Sequence, residues 1–234
     1  MRTFAIGDIH GCHTALAALD RAVGFRADDV IVTLGDYVDR GPHSKQVIEH
    51  LLDLSRRARL IPLLGNHEVM MLQSRKDRVA LLEWTACGGD ATLDSYGASS
   101  FADIPAAHWQ ILDSCIAFHE TDTEFFVHAN ADPHLDLTDQ TASMLFWEFF
   151  DAPPPHQSGR RMICGHTPQH SGLPLNLGHA VCIDTWVQRG GWLTCLETGF
   201  SSEQRDPSMR VSRHTSFFTG HMLPAATHKL PSNT

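Results

Sequence analysis

The chain has 234 residues, 42% of them apolar and 19% charged, which suits one sizeable soluble domain with a buried core. A formal net charge of −9 argues against a general binder of nucleic acid or of anionic membranes, since both demand a basic surface. The six cysteines (Cys12, Cys87, Cys115, Cys164, Cys182 and Cys195) include no C-x-x-C pair, which fits reduced thiols rather than a disulfide framework.

Residues 2–6 form a first strand-like run at once, leaving no room for a signal peptide, and no apolar run approaches the ~20 residues of a membrane span. A cytoplasmic protein is expected. The loop Asp8-Ile9-His10-Gly11 follows, then a helix over 14–23 carried by Leu16, Leu19 and Val23. The β-branched run 30–34 predicts a second, buried strand. It delivers Gly35-Asp36-Tyr37-Val38-Asp39-Arg40-Gly41 at its carboxyl end, where open α/β sheets place their ligands. A helix over 43–59 places Val47, Ile48, Leu51, Leu52 and Leu54 on one side, and a third strand over 60–64 ends in Gly65-Asn66-His67-Glu68. This βαβαβ alternation predicts a partly parallel sheet with right-handed crossovers.

Residues 68–119 read as mostly helical, with breaks at Gly88-Gly89-Asp90 and Tyr96-Gly97 and a short helix over 106–112. Aromatic residues here are assigned to core packing ahead of a substrate cleft. A short strand over 124–127 ends in His128-Ala129-Asn130, and an apolar segment over 143–150 is stopped by Pro153-Pro154-Pro155. Strands over 161–164, 180–183 and 191–196 follow; the first ends in Gly165-His166-Thr167-Pro168 and the second in Asp184. Residues 1–200 are therefore expected to form one domain. Residues 201–234 are polar and aperiodic, a poorly ordered C-terminal tail in which Phe217-Phe218 is a segment that could dock.

Taken alone, residues 35–41 read as readily as an acidic surface turn. Three strand ends, each followed by a glycine-flanked cluster of metal-type ligands, favour a site instead. A two-metal hydrolase needs oxygen and imidazole ligands with one carboxylate shared between the ions. Asp8, His10, Asp36, Asn66, His128 and His166 stand at or just after strand ends, and could surround two ions about 4 Å apart. Asp36 is the natural bridge. No cysteine takes part, which sets the cluster apart from a structural zinc site. Two ions would lower the pKa of a shared water, so that hydroxide could attack phosphorus in line. His67 is the candidate proton donor for the departing alkoxide, Asp39 its acidic partner, and Arg40 a planar fork for phosphate oxygens.

These three segments together closely resemble the signature of the phosphoprotein phosphatase family of calcineurin-like metallophosphoesterases, in particular its compact bacterial and phage-type members. His128-Ala129 and Gly165-His166-Thr167 resemble that family's two remaining histidine ligands. The resemblance implies an α/β fold built on a central β-sandwich with helices on both outer faces. It implies Asp8, His10 and Asp36 on one ion, and Asp36, Asn66, His128 and His166 on the other. The cofactor implied is two divalent ions, manganese first, with iron or zinc as alternatives. The implied function is a dinuclear-metal phosphomonoesterase, with a Ser/Thr protein phosphatase as the leading reading. Its partner would be a phosphoprotein or a small phosphate ester, and neither nucleic acid nor membrane. The alternatives are a symmetrical dinucleoside tetraphosphate (Ap4A-type) hydrolase and, from another class, a phosphate-binding module without turnover.

The chain departs from the family pattern at three places. The family's Trp-x-Arg is Trp147-Glu148-Phe149 here, so a second phosphate-clamping arginine is missing; Arg160, Arg161 and Arg189 are the candidates to replace it. Its His-Ala-Gly is His128-Ala129-Asn130, and its Asp-Thr-Gly is Asp184-Thr185-Trp186. Elsewhere bland readings prevail. His50, His108, His119, His214, His221 and His228 have no motif context, His13 suits a helix cap or the surface, and Asp184 is taken as structural. Glu68 either orients loop donors or is a helix-start charge. Competing chemistries leave no trace: no cysteine is followed six positions later by arginine, and neither D-x-D-x-[TV] nor G-x-x-x-x-G-K-[ST] occurs.

Overall fold

Two five-stranded sheets pack face to face in a computed structural model of the chain, which describes residues 1–198 and 217–218. The strands are β1 (Thr3–Ile6), β2 (Val30–Thr33), β3 (Arg59–Pro62), β4 (Phe118–Glu120), β5 (Glu124–Val127), β6 (Arg161–Cys164), β7 (Leu175–Asn176), β8 (Ala180–Cys182), β9 (Cys195–Thr198) and β10 (Phe217–Phe218). One sheet has the order β10-β9-β1-β2-β3 and the other β4-β5-β6-β8-β7. Strands β1, β2 and β3 are parallel to one another, in register Thr3–Val30–Arg59, as are β5, β6 and β8. The α-helices are α1 (His13–Val23), α2 (Ser44–Arg57), α3 (Asn66–Ser74), α4 (Arg78–Trp84), α5 (Asp90–Tyr96), α6 (Ala106–Asp113) and α7 (Ala142–Trp147). Among the described residues no helix is long and apolar enough to cross a membrane.

Alternation along the strands divides the core into layers. Ala5, Val32, Ile61, Phe126, Ile163, Val181 and Leu196 meet between the two sheets. Their neighbours Phe4, Ile6 and Ile31 point the other way, onto Leu16 and Leu19 of α1 and Val47, Ile48, Leu51 and Leu54 of α2. On the far face, Phe125, Val127, Met162 and Cys182 are covered by Leu145 and Phe146 of α7 with Phe150. The inner strands β2, β5 and β8 are thus buried on both faces, which is why each reads as a mainly apolar run. This is a helix-flanked sandwich, as the family resemblance implied.

Several boundaries differ from the sequence reading. The last strand begins at Cys195 rather than 191, because Trp192 is committed to a return turn in which its N–H donates to Thr185 O. The apolar segment 143–150 is helical only to Trp147; Glu148 is extended (φ −75°, ψ 130°). Thr141 caps α7 by accepting from Met144 N. The helical stretch 68–119 is broken by a π-turn over Thr85–Gly89, with Gly88 at φ 109°. The tail expected over 201–234 lies outside the described residues except for β10, which pairs antiparallel with β9. All six cysteines are free thiols.

Candidate metal centre and active site

The parallel strands of both sheets end at one edge, and their exit loops carry every candidate residue. Asp8 and His10 follow β1, residues 36–40 follow β2, and Asn66 and His67 follow β3; His128 follows β5, His166 follows β6 and Asp184 follows β8. Backbone hydrogen bonds lock the loops to one another. Ile9 N and His10 N donate to Asp36 O at 3.0 and 2.8 Å, Gly11 N donates to Tyr37 O at 2.9 Å, and Gly165 N donates to His128 O at 2.8 Å. Gly35 (φ 96°) lets two loops touch, since a Cβ there would stand 2.6 Å from Gly65 Cα. Seven non-glycine residues among those described have positive φ, and His10, Asp36, Asp39, Arg40 and His166 are five of them. Such conformations cost energy and persist where the surroundings over-determine them.

Glu68 supplies much of that determination. It is fully buried, and its carboxylate accepts from Asp36 N (2.7 Å), Tyr37 N (2.8 Å), Gly65 N (3.1 Å) and Val38 N (3.3 Å). Of the two readings left open by the sequence, the one that orients loop donors is what the structure displays. A Glu68→Ala variant would leave these amides without a partner in a dry site, and should lose about 3 kcal/mol or more of stability. Denaturant unfolding measures it; a loss below about 1 kcal/mol would contradict this role.

The candidate ligands present lone pairs inward. His10 Nδ1 lies 3.0 Å from Val38 O, His128 Nδ1 lies 2.7 Å from Leu34 O, and His166 Nε2 lies 3.2 Å from Trp147 O. A carbonyl only accepts, so each of these nitrogens carries the proton and the opposite nitrogen is a bare donor pair. Burial, the first cause in each case, lowers all three pKa values, to about 3 for His10 and about 4 for His166, keeping the rings neutral. Asp36 joins His10 and His67 in one tight group and His128 and His166 in another, with ligand atoms within 4.8 Å in each. Asn66 Oδ1 faces His128 Nε2 at 3.0 Å and His166 Nδ1 at 3.2 Å. Turned the other way the amide would donate to these nitrogens and to Asp36; with Oδ1 inward it adds one more acceptor of the kind a divalent cation takes.

Asp8 belongs to neither tight group. Both of its oxygens accept from His166 N at 3.1 Å, which ties it to the second group's loop. Burial and the charges of Asp184 and Asp36 push the Asp8 pKa well up, and burial pushes Asp184 up to about 6. Burial also opposes ionisation of Asp36, yet His128, His67, His10 and His166 hold its pKa below the usual carboxylate range. Three carboxylates at 2–3% exposure in one pocket need compensating positive charge. The oxygen and imidazole donors, the absence of thiolate and the closed tautomers all fit divalent metal ions.

His67 stands apart in its bonding. Its Nδ1 lies 2.7 Å from Asp39 Oδ2, while its buried Nε2 has no hydrogen-bond partner. Burial pulls the His67 pKa down, but the Asp36 charge and the bond to Asp39 outweigh it and raise the net value. Asp39 is held by two residues that the sequence reading missed. Trp84 Nε1 donates to its Oδ2 at 2.8 Å and Thr92 Oγ1 to its Oδ1 at 2.7 Å. Trp84, assigned to the core, is core and positioning group at once. Arg40 is exposed, and its Nη1 lies 3.0 Å from His10 Nε2, so a positive group meets that lone pair. Of the arginines considered as a second clamp, Arg160 pairs with Glu120 and Arg161 Nη2 donates to Asn176 Oδ1 at 3.3 Å.

A family model for calcineurin-like phosphoesterases matches residues 1–191. Among curated proteins, the symmetrical bis(5′-nucleosyl)-tetraphosphatases of Acidovorax ebreus (strain TPSY) and Salmonella newport (strain SL254) are 41% and 42% identical over 73 residues. That stretch is 31% of this chain and spans only 25% of the length of these relatives. Similar solved structures include one provisionally described as a diadenosine tetraphosphatase (TM-score 0.63, 22% identity, 84% of this chain and 88% of that one). A cold-active protein tyrosine phosphatase (TM-score 0.65, 16% identity, 84% and 73%) and a Saccharomyces cerevisiae protein serine/threonine phosphatase (0.56, 16%, 84% and 72%) are also similar. Likeness at this identity speaks to fold alone. With the family model covering residues 1–191 and so every candidate ligand, the chain belongs to the calcineurin-like phosphoesterases.

Proposed function

We propose that the chain hydrolyses phosphate esters or anhydrides on two divalent ions held by Asp8, His10, Asp36, Asn66, His128 and His166. The observation that carries this is the converging set of acceptor atoms around Asp36, with the tautomers of His10, His128 and His166 each turning a lone pair inward. When bound, such ions supply Lewis-acid polarisation of phosphoryl oxygens and a water acidic enough to ionise near neutral pH. The chain's own residues do the rest. Arg40 orients a phosphate oxygen with its exposed fork. His67 holds a proton at Nε2 for the leaving oxygen, and Asp39, fixed by Trp84 and Thr92, accepts from Nδ1 and so favours the doubly protonated ring.

Two finer readings share this chemistry. A Ser/Thr phosphoprotein substrate is supported by the signature motifs. A dinucleoside polyphosphate is supported by the names of the relatives matched and by the aromatic rather than cationic rim at Phe149. The rim and the relatives favour the dinucleotide. Purified protein with manganese, given diadenosine tetraphosphate, a phosphoserine peptide and a small alkyl phosphate, should turn over the dinucleotide with the highest kcat/KM. A peptide preference would restore the protein-phosphatase reading, and no turnover of any would leave a phosphate-binding module.

A further inference from the structure

The rim beside His166 is formed by the segment that follows α7. Trp147 is 43% exposed and Phe149 63% exposed. Singly exposed aromatics are common on protein surfaces; this one differs in how its backbone is held. Asn130 Nδ2 donates to Phe149 O at 2.9 Å, Phe150 N donates to Thr167 Oγ1 at 2.8 Å, and His166 Nε2 donates to Trp147 O at 3.2 Å. Asn130 lies two residues after His128, and Thr167 lies next to His166. Phe150 is sunk in the core at 4% exposure, so the segment cannot slide. The Phe149 ring itself rests against His166, with centroids 5.6 Å apart and planes 31° from parallel.

A fixed, exposed π-face next to a candidate metal ligand has little to offer a phosphate oxygen, because the face of the ring is negative. It has much to offer a planar base. The neighbouring Glu148 is exposed and acidic, so this stretch repels anions and supplies no clamp. His166 turns Nδ1 toward Asn66 and the pocket, while Phe149 packs against the ring. A base carried on ribose and a phosphate chain could stack there with a phosphate in the pocket beside His166.

We propose that Phe149 selects substrate by stacking on a nucleobase, and that Asn130 is the positioning residue that holds it against His166. The proposal rests on the phosphoesterase reading for its place in catalysis, but its test needs only binding. Calorimetric titration with manganese present compares α,β-methylene-ADP with methylenebisphosphonate, neither of which is hydrolysed at the bridge. Phe149→Ala should weaken the nucleotide about tenfold relative to the bisphosphonate, which is ~1.4 kcal/mol and within the range of base–aromatic stacking. Phe149→Tyr should retain the wild-type ratio. Asn130→Ala should lose part of it with the bisphosphonate affinity held at the wild-type value, which a general structural loss would not produce. Equal weakening of both ligands, an unchanged ratio in Phe149→Ala, or no nucleotide binding by the wild type would each overturn the proposal. So would a phosphotyrosyl peptide that alone loses affinity in Phe149→Ala. Failure of the phosphoesterase reading registers separately, as absent turnover by the wild type, and leaves the affinity comparison intact.

Discussion

An Asp36→Asn variant is expected to lose metal binding and hydrolysis together. Asp36 belongs to both tight donor groups, with His10 and His67 on one side and His128 and His166 on the other. The amide keeps the carboxylate's shape, and its oxygen can still accept from His67 N, now 3.1 Å from Asp36 Oδ1. What changes is charge, and the other inward acceptor becomes a donor facing His10 Nε2, 3.4 Å from Asp36 Oδ2. Losing even a supporting partner of a metal ligand costs about 10–100-fold in affinity; a ligand shared by two ions should cost more than roughly 100-fold. Metal content after dialysis and turnover of a small phosphate ester measure the two effects. Two tightly held ions in the variant would refute the shared-ligand assignment.

His67→Asn should separate the two properties. The ring provides no inward ligand required by the assigned set, and its Nε2 has no partner in the folded chain. Removing a positioned proton donor costs about 10²–10⁴-fold in rate, while ion content should stay at the wild-type level. The loss should also depend on the leaving group. An alkyl phosphate, whose alkoxide needs a proton to depart, should suffer far more than an aryl phosphate with an acidic phenol. A variant that loses its ions, or slows both esters equally, would contradict the assignment of His67 as donor.

Legibility in the sequence followed chain distance. Asp8 with His10, and Asp36 with Asp39 and Arg40, were visible because a strand, a glycine and a ligand fall within a few residues of each other. Trp84 and Thr92 were not, because they reach Asp39 across 45 and 53 positions and carry no local mark of it. The bond from Asn130 to Phe149 was hidden for the same reason, although both residues had been noted as departures from the family pattern. At the level of fold, the parallel βαβαβ half was recoverable from local pattern. The pairing of two sheets was not: strands buried on both faces lose the alternation that would reveal a second layer, and the family resemblance had to supply it.

The candidate ligands are split between the halves of the sandwich: Asp8, His10, Asp36 and Asn66 come from one sheet, His128 and His166 from the other. Ions seated among them would rivet the two halves at their shared edge. Because unfolding separates the halves, loading would register as thermal resistance, worth ~4 kcal/mol when free metal stands a thousandfold above its dissociation constant. Scarcity of the metal would then do more than stop the proposed hydrolysis; it would loosen the seam and shorten the molecule's life.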